Sequence, residues 1–235
     1  MNTNDEGLTL LGNPFASSIS FSEINNDDIT GTLYIWDVNS SEGDGGEDIG
    51  ENDPGAGSWK TNADGTGDHD GIIAPFQGFF VQNATANPTV TFTDGAKTDD
   101  GNFLGKQADK QLVRLELSGE SMRNSAWLRF SENGAWDKTQ GDALQLDPLS
   151  YNYALIASKK SDSILYDIGH VPVPESDFEL PLAIEATKAG AYTLSATQLN
   201  LSAGSELYFE DRQENTRIKL DESFSYEFQI QQQLK

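Results

Sequence analysis

Cysteine is absent from this 235-residue chain, which excludes disulfide bonds, thiolate zinc sites and a cysteine nucleophile. Histidine occurs only at His69 and His170, which form no metal-binding motif such as HExxH. No apolar run approaches the roughly 18 residues that a membrane-spanning helix needs, and no G-x-S-x-G hydrolase signature is present. We therefore expect neither an enzyme nor direct membrane insertion. The paired carboxylates of a glycoside hydrolase stay open, because acids occur throughout the chain.

Basic residues are also scarce, since 15 lysines and arginines face 38 aspartates and glutamates, for a net charge of −23. Nucleic acids and anionic membrane surfaces would repel such a chain, so neither is an expected partner. Cations, calcium above all, would be attracted. The excess acid is also consistent with a simpler role in solubility.

Apolar and polar residues alternate with a period of two in several segments, which predicts β-strands. The clearest cases are LVRLEL, AWLRF, DFELPLAI and SFSYEFQI. No segment sustains a helical period, and Gly- and Asn-containing turns separate the strands at short intervals. We predict an all-β fold, an antiparallel β-sandwich or jelly-roll-like structure, built from two packed β-domains.

The polar, Gly- and Asp-rich stretch at 99–110 predicts a linker between a domain at 1–98 and a domain at 111–235. The first domain shows few strands, so we expect it to need a neighbour to close its sheet. Exposed sheet edges at the chain ends would also suit strand addition by another copy or another surface protein. The strands expected in the first domain lie near 8–11, 32–36, 78–82 and 89–93, the last two forming a hairpin.

A long acidic loop at 37–71 is the strongest local candidate for a site, with ten carboxylates against the single Lys60. Its segment NADGTGDHDG places oxygen-bearing side chains at alternate positions, like the first half of a calcium-binding loop. Ile73 stands where such a loop has its bidentate glutamate. The alternative is a solvated loop without metal. The candidate calcium ligands are Asp44, Glu47, Asp48, Asn62, Asp64, Asp68 and Asp70.

Three tryptophans support an alternative function, carbohydrate binding, because β-sandwich modules stack sugars on exposed aromatic rings. Trp127 faces away from the Leu128 side of its strand, Trp136 follows a turn, and Trp59 lies within the acidic loop. Each ring could instead belong to the core. A polysaccharide is therefore a possible partner under this alternative.

Spaced strand signatures give the chain a resemblance to a known group of proteins. They are GNPF at 12–15, YIWD at 34–37 and QGFFV at 77–81, followed by Asp137, Asp142, Ala143 and Leu146, and by the strand patterns around 190–194 and 207–228. Together they resemble the C-terminal β-rich region of Bacteroidota secreted surface proteins, which precedes the sorting domain for type IX secretion.

The resemblance implies a non-catalytic structural or adhesive module of an exported protein, located outside the cell or on the outer-membrane surface. The first residues, MNTNDEG, contain neither a basic nor an apolar leader segment. Either the protein is intracellular, or a signal peptide lies upstream of these residues. A carbohydrate-binding accessory module of a secreted enzyme is the alternative.

Overall fold

The fold is all-β, as the sequence predicts. The computed structural model describes residues 7–24, 26–37, 58–98, 111–119, 122–149, 152–174, 176–202 and 204–231. Its regular structure there consists of strands and two short 3₁₀ turns, Phe21–Glu23 and Asp94–Ala96. None of the described segments forms a helix long and apolar enough to cross a membrane.

Seven strands precede residue 99 in the described part of the chain. They are β1 (Leu8–Gly12), β2 (Ser18–Ser20), β3 (Ile29–Asp37), β4 (Ser58–Ala63), β5 (Ile72–Ile73), β6 (Gly78–Asn83) and β7 (Lys97–Thr98). A four-stranded antiparallel sheet has the order β1-β6-β3-β4, and a small sheet has the order β5-β2-β7.

Ten strands follow residue 110 within the described segments. They are β8 (Gln111–Gly119), β9 (Met122–Ser131), β10 (Ala143–Leu144), β11 (Ala154–Lys159), β12 (Leu165–Pro172), β13 (Leu182–Ala186), β14 (Gly190–Asn200), β15 (Tyr208–Asp211), β16 (Thr216–Lys219) and β17 (Ser225–Ile230). The large, curled sheet has the order β13-β11-β12-β9-β8-β14-β17, with β10 beside β12. β12 and β9 run parallel, and β15 and β16 form a separate hairpin.

Alternation along the strands sorts their side chains into distinct apolar clusters. On β8, Val113, Leu115 and Leu117 are buried in the core of the large sheet. On β6, Phe79 and Val81 point into the core of the four-stranded sheet, whereas Phe80 points to the opposite face. β6 is therefore covered on both faces, which explains its three consecutive apolar residues.

A third apolar cluster joins the two β-parts, and we call it the junction cluster. Its buried members come from both sides of residue 99, so the two parts share one interior surface. Aromatic rings pack edge to face within it, with the Trp59 ring 5.2 Å from Trp36 and 5.7 Å from Phe80. The buried members are Tyr34, Trp59, Ala63, Leu112, Trp127, Ala143 and Ile168.

Two sequence expectations for the first part are wrong. Residues 89–93 form no strand, because β1 and β3 already occupy both edges of β6 and leave no place for a hairpin partner. β4 lies inside the stretch predicted to be an acidic loop. The expected linker at 99–110 and the loop residues 38–57 lie outside the described residues, so the domain boundaries stay a prediction.

Candidate functional site

The described part of the acidic stretch consists of Asp37, β4 and the short connection from β4 to β5 at 64–71. From here on, "the loop" means this connection, and Asn62 at the end of β4 organises it. Its amide nitrogen donates to the His69 carbonyl at 2.7 Å, and its oxygen accepts the Gly65 N–H at 3.0 Å. Gly67 has a φ of +128°, and a Cβ there would lie 2.3 Å from the Thr61 oxygen. Only glycine fits this close approach. The loop is thereby held in one shape that directs its carboxylates toward the large sheet.

Asp68 binds side chains of both β8 and β9. Its Oδ1 accepts the Nε–H of Arg114 at 3.1 Å and the indole N–H of Trp127 at 3.0 Å, and its Oδ2 accepts the Ser125 hydroxyl. The Arg114 guanidinium also lies over the Trp127 ring, 5.5 Å from its centroid. Three donors from two strands therefore hold this largely buried carboxylate in place, one of them in a charge-assisted bond.

Asp64 binds the large sheet at a second point. Its Oδ2 accepts a hydrogen bond from Nη1 of Arg129 at 3.0 Å. Arg129 is buried, and its Nη2 lies 3.2 Å from Nδ1 of His170. A Cβ on Gly141 would lie 2.1 Å from that Nη2 and 2.3 Å from that Nδ1, so a side chain at this position would displace the pair. The loop is therefore attached through two carboxylate–arginine pairs.

Ser131 and His170 resemble a catalytic dyad by distance, since Ser131 Oγ lies 2.5 Å from His170 Nε2. The proton, however, is on the wrong atom for catalysis. We assign the tautomer from the neighbours of the ring: Arg129 can only donate and the Thr139 hydroxyl, 3.3 Å away, can do so, which makes Nδ1 the acceptor and puts the hydrogen on Nε2. His170 then donates to Ser131 and has no free lone pair with which to take the serine proton.

Lys160 and Asp142 form a buried ion pair next to His170. Lys160 Nζ lies 2.8 and 3.0 Å from the two Asp142 oxygens and 3.1 Å from the His170 carbonyl, so its three protons all have acceptors. Asp142 also accepts the backbone N–H groups of His170 and Thr139. A buried charge is tolerated when its hydrogen bonds are complete in this way.

Asp167 on β12 is a buried carboxyl group at the same boundary. Burial raises its pKa to about 7, and the nearby negative charge of Asp68 acts in the same direction. The hydroxyl of Thr61, which donates to Asp167, lowers the pKa, as do the charges of Lys60 and Arg114. Unlike Asp68, Asp167 has no arginine within ion-pair distance among the described residues.

Neutral hydrogen bonds complete the contact between the two β-parts. Tyr34 accepts the Leu144 N–H at 2.8 Å, and the Trp59 indole donates to the Asp147 carbonyl at 3.1 Å. Thr32 donates to the Asp142 carbonyl at 3.2 Å. Each of these bonds links a residue of β3 or β4 to a residue beyond 140, so they fix the register of the four-stranded sheet against the large sheet.

The seven candidate calcium ligands do not converge within the described residues. Asp44, Glu47 and Asp48 lie outside them. Asn62 bonds within its loop, Asp64 and Asp68 bind arginines, and Asp70 accepts the Ile72 N–H at 2.8 Å. In the described segments, no group of three or more His, Cys, Asp or Glu side chains could hold a metal ion. Calcium binding by the acidic loop stays a prediction.

The three candidate tryptophans occupy different environments. Trp127 and Trp59 are buried in the junction cluster, where their indole nitrogens donate to Asp68 and to the Asp147 carbonyl. Trp136 is 36% exposed, and its ring lies 5.4 Å from that of Phe178. Of the three rings, Trp136 is therefore the one with substantial exposure to solvent.

A shallow polar cleft of about 160 Å³ opens where the loop meets β8 and β9. Sequence reasoning missed the arginines that bind the loop, although a signal was present: charged residues alternate with apolar ones on both strands. Such residues mark a second, polar face of the sheet. The cleft is lined by Lys60, Asp68, Arg114, Glu116, Arg123, Asn124 and Ser125.

Comparison with known proteins gives a family but no characterised relative. No curated protein and no solved structure matches the chain. The family described as "Domain of unknown function (DUF8693)" matches residues 1–234, which is nearly the full length. The chain belongs to this family.

Proposed function

We propose that the chain is a non-catalytic structural module of an exported bacterial surface protein, in which the acidic loop fastens two β-parts together. One observation carries the proposal: Asp64 and Asp68 of the loop both bind arginines of the large sheet. The exported setting, outside the cell or on the outer-membrane surface, rests on the resemblance to Bacteroidota surface proteins.

The contacts at the boundary between the two β-parts are those of a rigid junction. Charge-assisted bonds to arginine are roughly twice as strong as neutral ones, and those at Asp68 are largely shielded from water. The junction cluster adds apolar burial, which is the main stabilising contribution in folding. A module fixed in this way transmits position and force between its neighbours without a hinge at the boundary.

Equilibrium unfolding in denaturant tests the proposal. We expect backbone circular dichroism and tryptophan fluorescence to report one coincident transition, because Trp59 and Trp127 lie at the junction. Asp68→Asn should lower the free energy of unfolding by about 1–3 kcal/mol, by weakening a buried hydrogen-bonded charge.

The matched control is Asp94→Asn, which removes an exposed ion pair with Lys97 and should change stability little. Two separate transitions in the unaltered protein would contradict a single fastened module. An Asp68→Asn protein as stable as the unaltered one would contradict the role of the loop.

The Asp68→Asn variant also distinguishes calcium binding by the loop from attachment of the loop to the large sheet. The oxygens of Asp68 already accept three donors, so we expect Asp68→Asn to lower the melting temperature equally in calcium and in chelator. A calcium-dependent rise in melting temperature that survives in this variant would support a site built from other loop residues. A rise that the variant abolishes would make Asp68 a calcium ligand.

Carbohydrate binding is the second candidate, and the exposed ring of Trp136 beside Phe178 favours it. Affinity electrophoresis in polysaccharide gels tests it. Retention that is lost in Trp136→Ala but kept in Phe76→Ala, another exposed aromatic residue, would support sugar stacking. Migration unaffected by any polysaccharide would remove this candidate.

A further inference from the structure

β1 is an end strand with an open edge. Among the described strands it pairs only with β6, in an unbroken register from Leu8–Gln82 to Gly12–Gly78. Alternate N–H and C=O groups on its other side therefore have no strand partner there. No bulge interrupts the strand, so the edge is straight enough to accept another strand.

The side chains of β1 leave this edge unprotected. Leu8 is 40% and Leu10 is 63% exposed, and both point to the same face of the sheet. Proteins usually guard open edges with charged residues, proline or bulges. The other three end strands of the two larger sheets, β4, β13 and β17, each carry a charge, at Lys60, Glu185 and Glu227 respectively. β1, with the sequence LTLLG, carries none.

The sequence of β1 is complementary to itself. Its first three residues read Leu8-Thr9-Leu10, which is the same in both directions. Antiparallel pairing about a two-fold axis at Thr9 would place Leu8 opposite Leu10 of the other copy on one face, and threonine opposite threonine on the other face. Matched apolar and Thr–Thr cross-strand pairs both stabilise sheets.

We propose that β1 pairs with β1 of a second copy to form a two-fold symmetric dimer, in which two four-stranded sheets become one continuous sheet. Such an interface uses the same surface on both copies and therefore stops at two. The proposal rests on the assignment of the chain as a structural module and names its partner.

Charge predicts how this dimer responds to salt. Each copy carries a net charge of −23, so the two repel, although the paired edges themselves are uncharged. The screening length falls from about 8 Å at 0.15 M salt to about 3 Å at 1 M. Association through β1 should therefore strengthen as sodium chloride is raised over this range, whereas an interface held by ion pairs would weaken.

Sedimentation equilibrium of the full chain tests the proposal, with Leu10→Lys as the edge-protecting variant. We expect a monomer–dimer equilibrium in which Leu10→Lys weakens dimerisation by about tenfold or more. The control is Leu149→Lys, because Leu149 is 60% exposed and lies outside the strands. It should dimerise like the unaltered protein. Unchanged circular dichroism spectra and cooperative melting of the diluted proteins would show that the variants fold.

Disulfide trapping locates the contact, because the chain has no cysteine of its own. Thr9→Cys should oxidise to a covalent dimer, since residues on the two-fold axis lie directly opposite each other. Ser225→Cys, on the end strand β17, should not.

A chain that stays monomeric at high salt would overturn the dimer. So would association that Leu10→Lys leaves intact, or cross-linking through residue 225 in place of residue 9. None of these results would alter the unfolding test of the module itself, so failure of the dimer and failure of the structural role are distinguishable.

Discussion

At the scale of single residues, the two aspartates beside Thr61 and Arg114 show how environment separates identical side chains. Asp68 accepts hydrogen bonds from Arg114, Ser125 and Trp127, which attach it to β8 and β9. Asp167 accepts the Thr61 hydroxyl in a buried place, and its pKa is raised to about 7. The first attaches the loop, whereas the second makes the boundary sensitive to pH.

The raised pKa of Asp167 predicts a direction for stability. Its carboxyl binds a proton more tightly in the folded state than in the unfolded chain, where its pKa is 3.8. The resulting stabilisation is complete below pH 3.8 and is lost as pH rises to about 7. Asp167→Asn keeps an oxygen that can accept the Thr61 hydroxyl, but it cannot ionise. The variant should therefore not lose this stabilisation as the pH rises.

Urea unfolding at pH 5 and pH 8 checks this prediction. The measured quantity is the free energy of unfolding of Asp167→Asn minus that of the unaltered protein. This difference should be larger at pH 8 than at pH 5, by on the order of 1–3 kcal/mol. Asp177→Asn, an exposed aspartate, is the control and should show no such difference. If the advantage of Asp167→Asn were the same at both pH values, Asp167 would not titrate in this range.

At the scale of elements, the turn before β6 combines strain with exposure. Gln77 N–H donates to the Ala74 carbonyl at 3.1 Å, and Phe76, the third residue of the turn, has a φ of +58°. This position normally favours glycine. The buried amide of Asn13 donates to the Ala74 carbonyl at 2.9 Å and holds the turn in place. Phe76 itself is 71% exposed.

Replacing Phe76 should separate backbone strain from side-chain contacts. Phe76→Gly removes the Cβ that makes a positive φ costly and loses little packing. It should raise the free energy of unfolding by about 0.5–1 kcal/mol. Phe76→Ala keeps the Cβ and should give no gain in the same denaturation experiment. Equal losses of stability in both variants would show that the phenyl ring stabilises the fold by its contacts.

Most elements with a clear alternation could be predicted from sequence, and β8, β9 and β17 are confirmed. DFELPLAI is an exception, because only its last three residues form a strand, the start of β13. β4 could not be predicted from the sequence, because its buried residues include Thr61 and Asn62, which are not apolar. The alternation marks the face on which Arg114 and Arg129 lie, but their pairing with the loop aspartates could not be predicted. Asp68 and Arg114 are 46 residues apart, and Asp64 and Arg129 are 65 apart, so only the tertiary fold brings them together.

At the scale of the whole molecule, the two β-parts depend on a shared interior. Leu112, Trp127 and Ile168 of the large sheet pack against Tyr34 and Trp59 of the four-stranded sheet. The boundary therefore combines an apolar cluster with two carboxylate–arginine pairs.

Separating the parts should expose this interior. The isolated segment 111–235 would present Leu112, Trp127 and Ile168 to water and leave Arg114 and Arg129 without their aspartates. We expect it to melt at a lower temperature than the full chain and to bind a hydrophobic fluorescent dye. A segment with the melting temperature of the full chain and no dye binding would show that the large sheet is complete without the first part.

The distance along the chain between the loop and its arginines imposes an order on biosynthesis. Asp64 and Asp68 leave the ribosome well before Arg114 and Arg129, and until those arrive the loop carboxylates only repel one another. Tyr34 and Trp59 likewise cannot be buried in the junction cluster until Leu112, Trp127 and Ile168 have been synthesised. Contacts that close such long loops form slowly. The N-terminal half of the nascent chain therefore completes its fold only after the strands that follow it have been made.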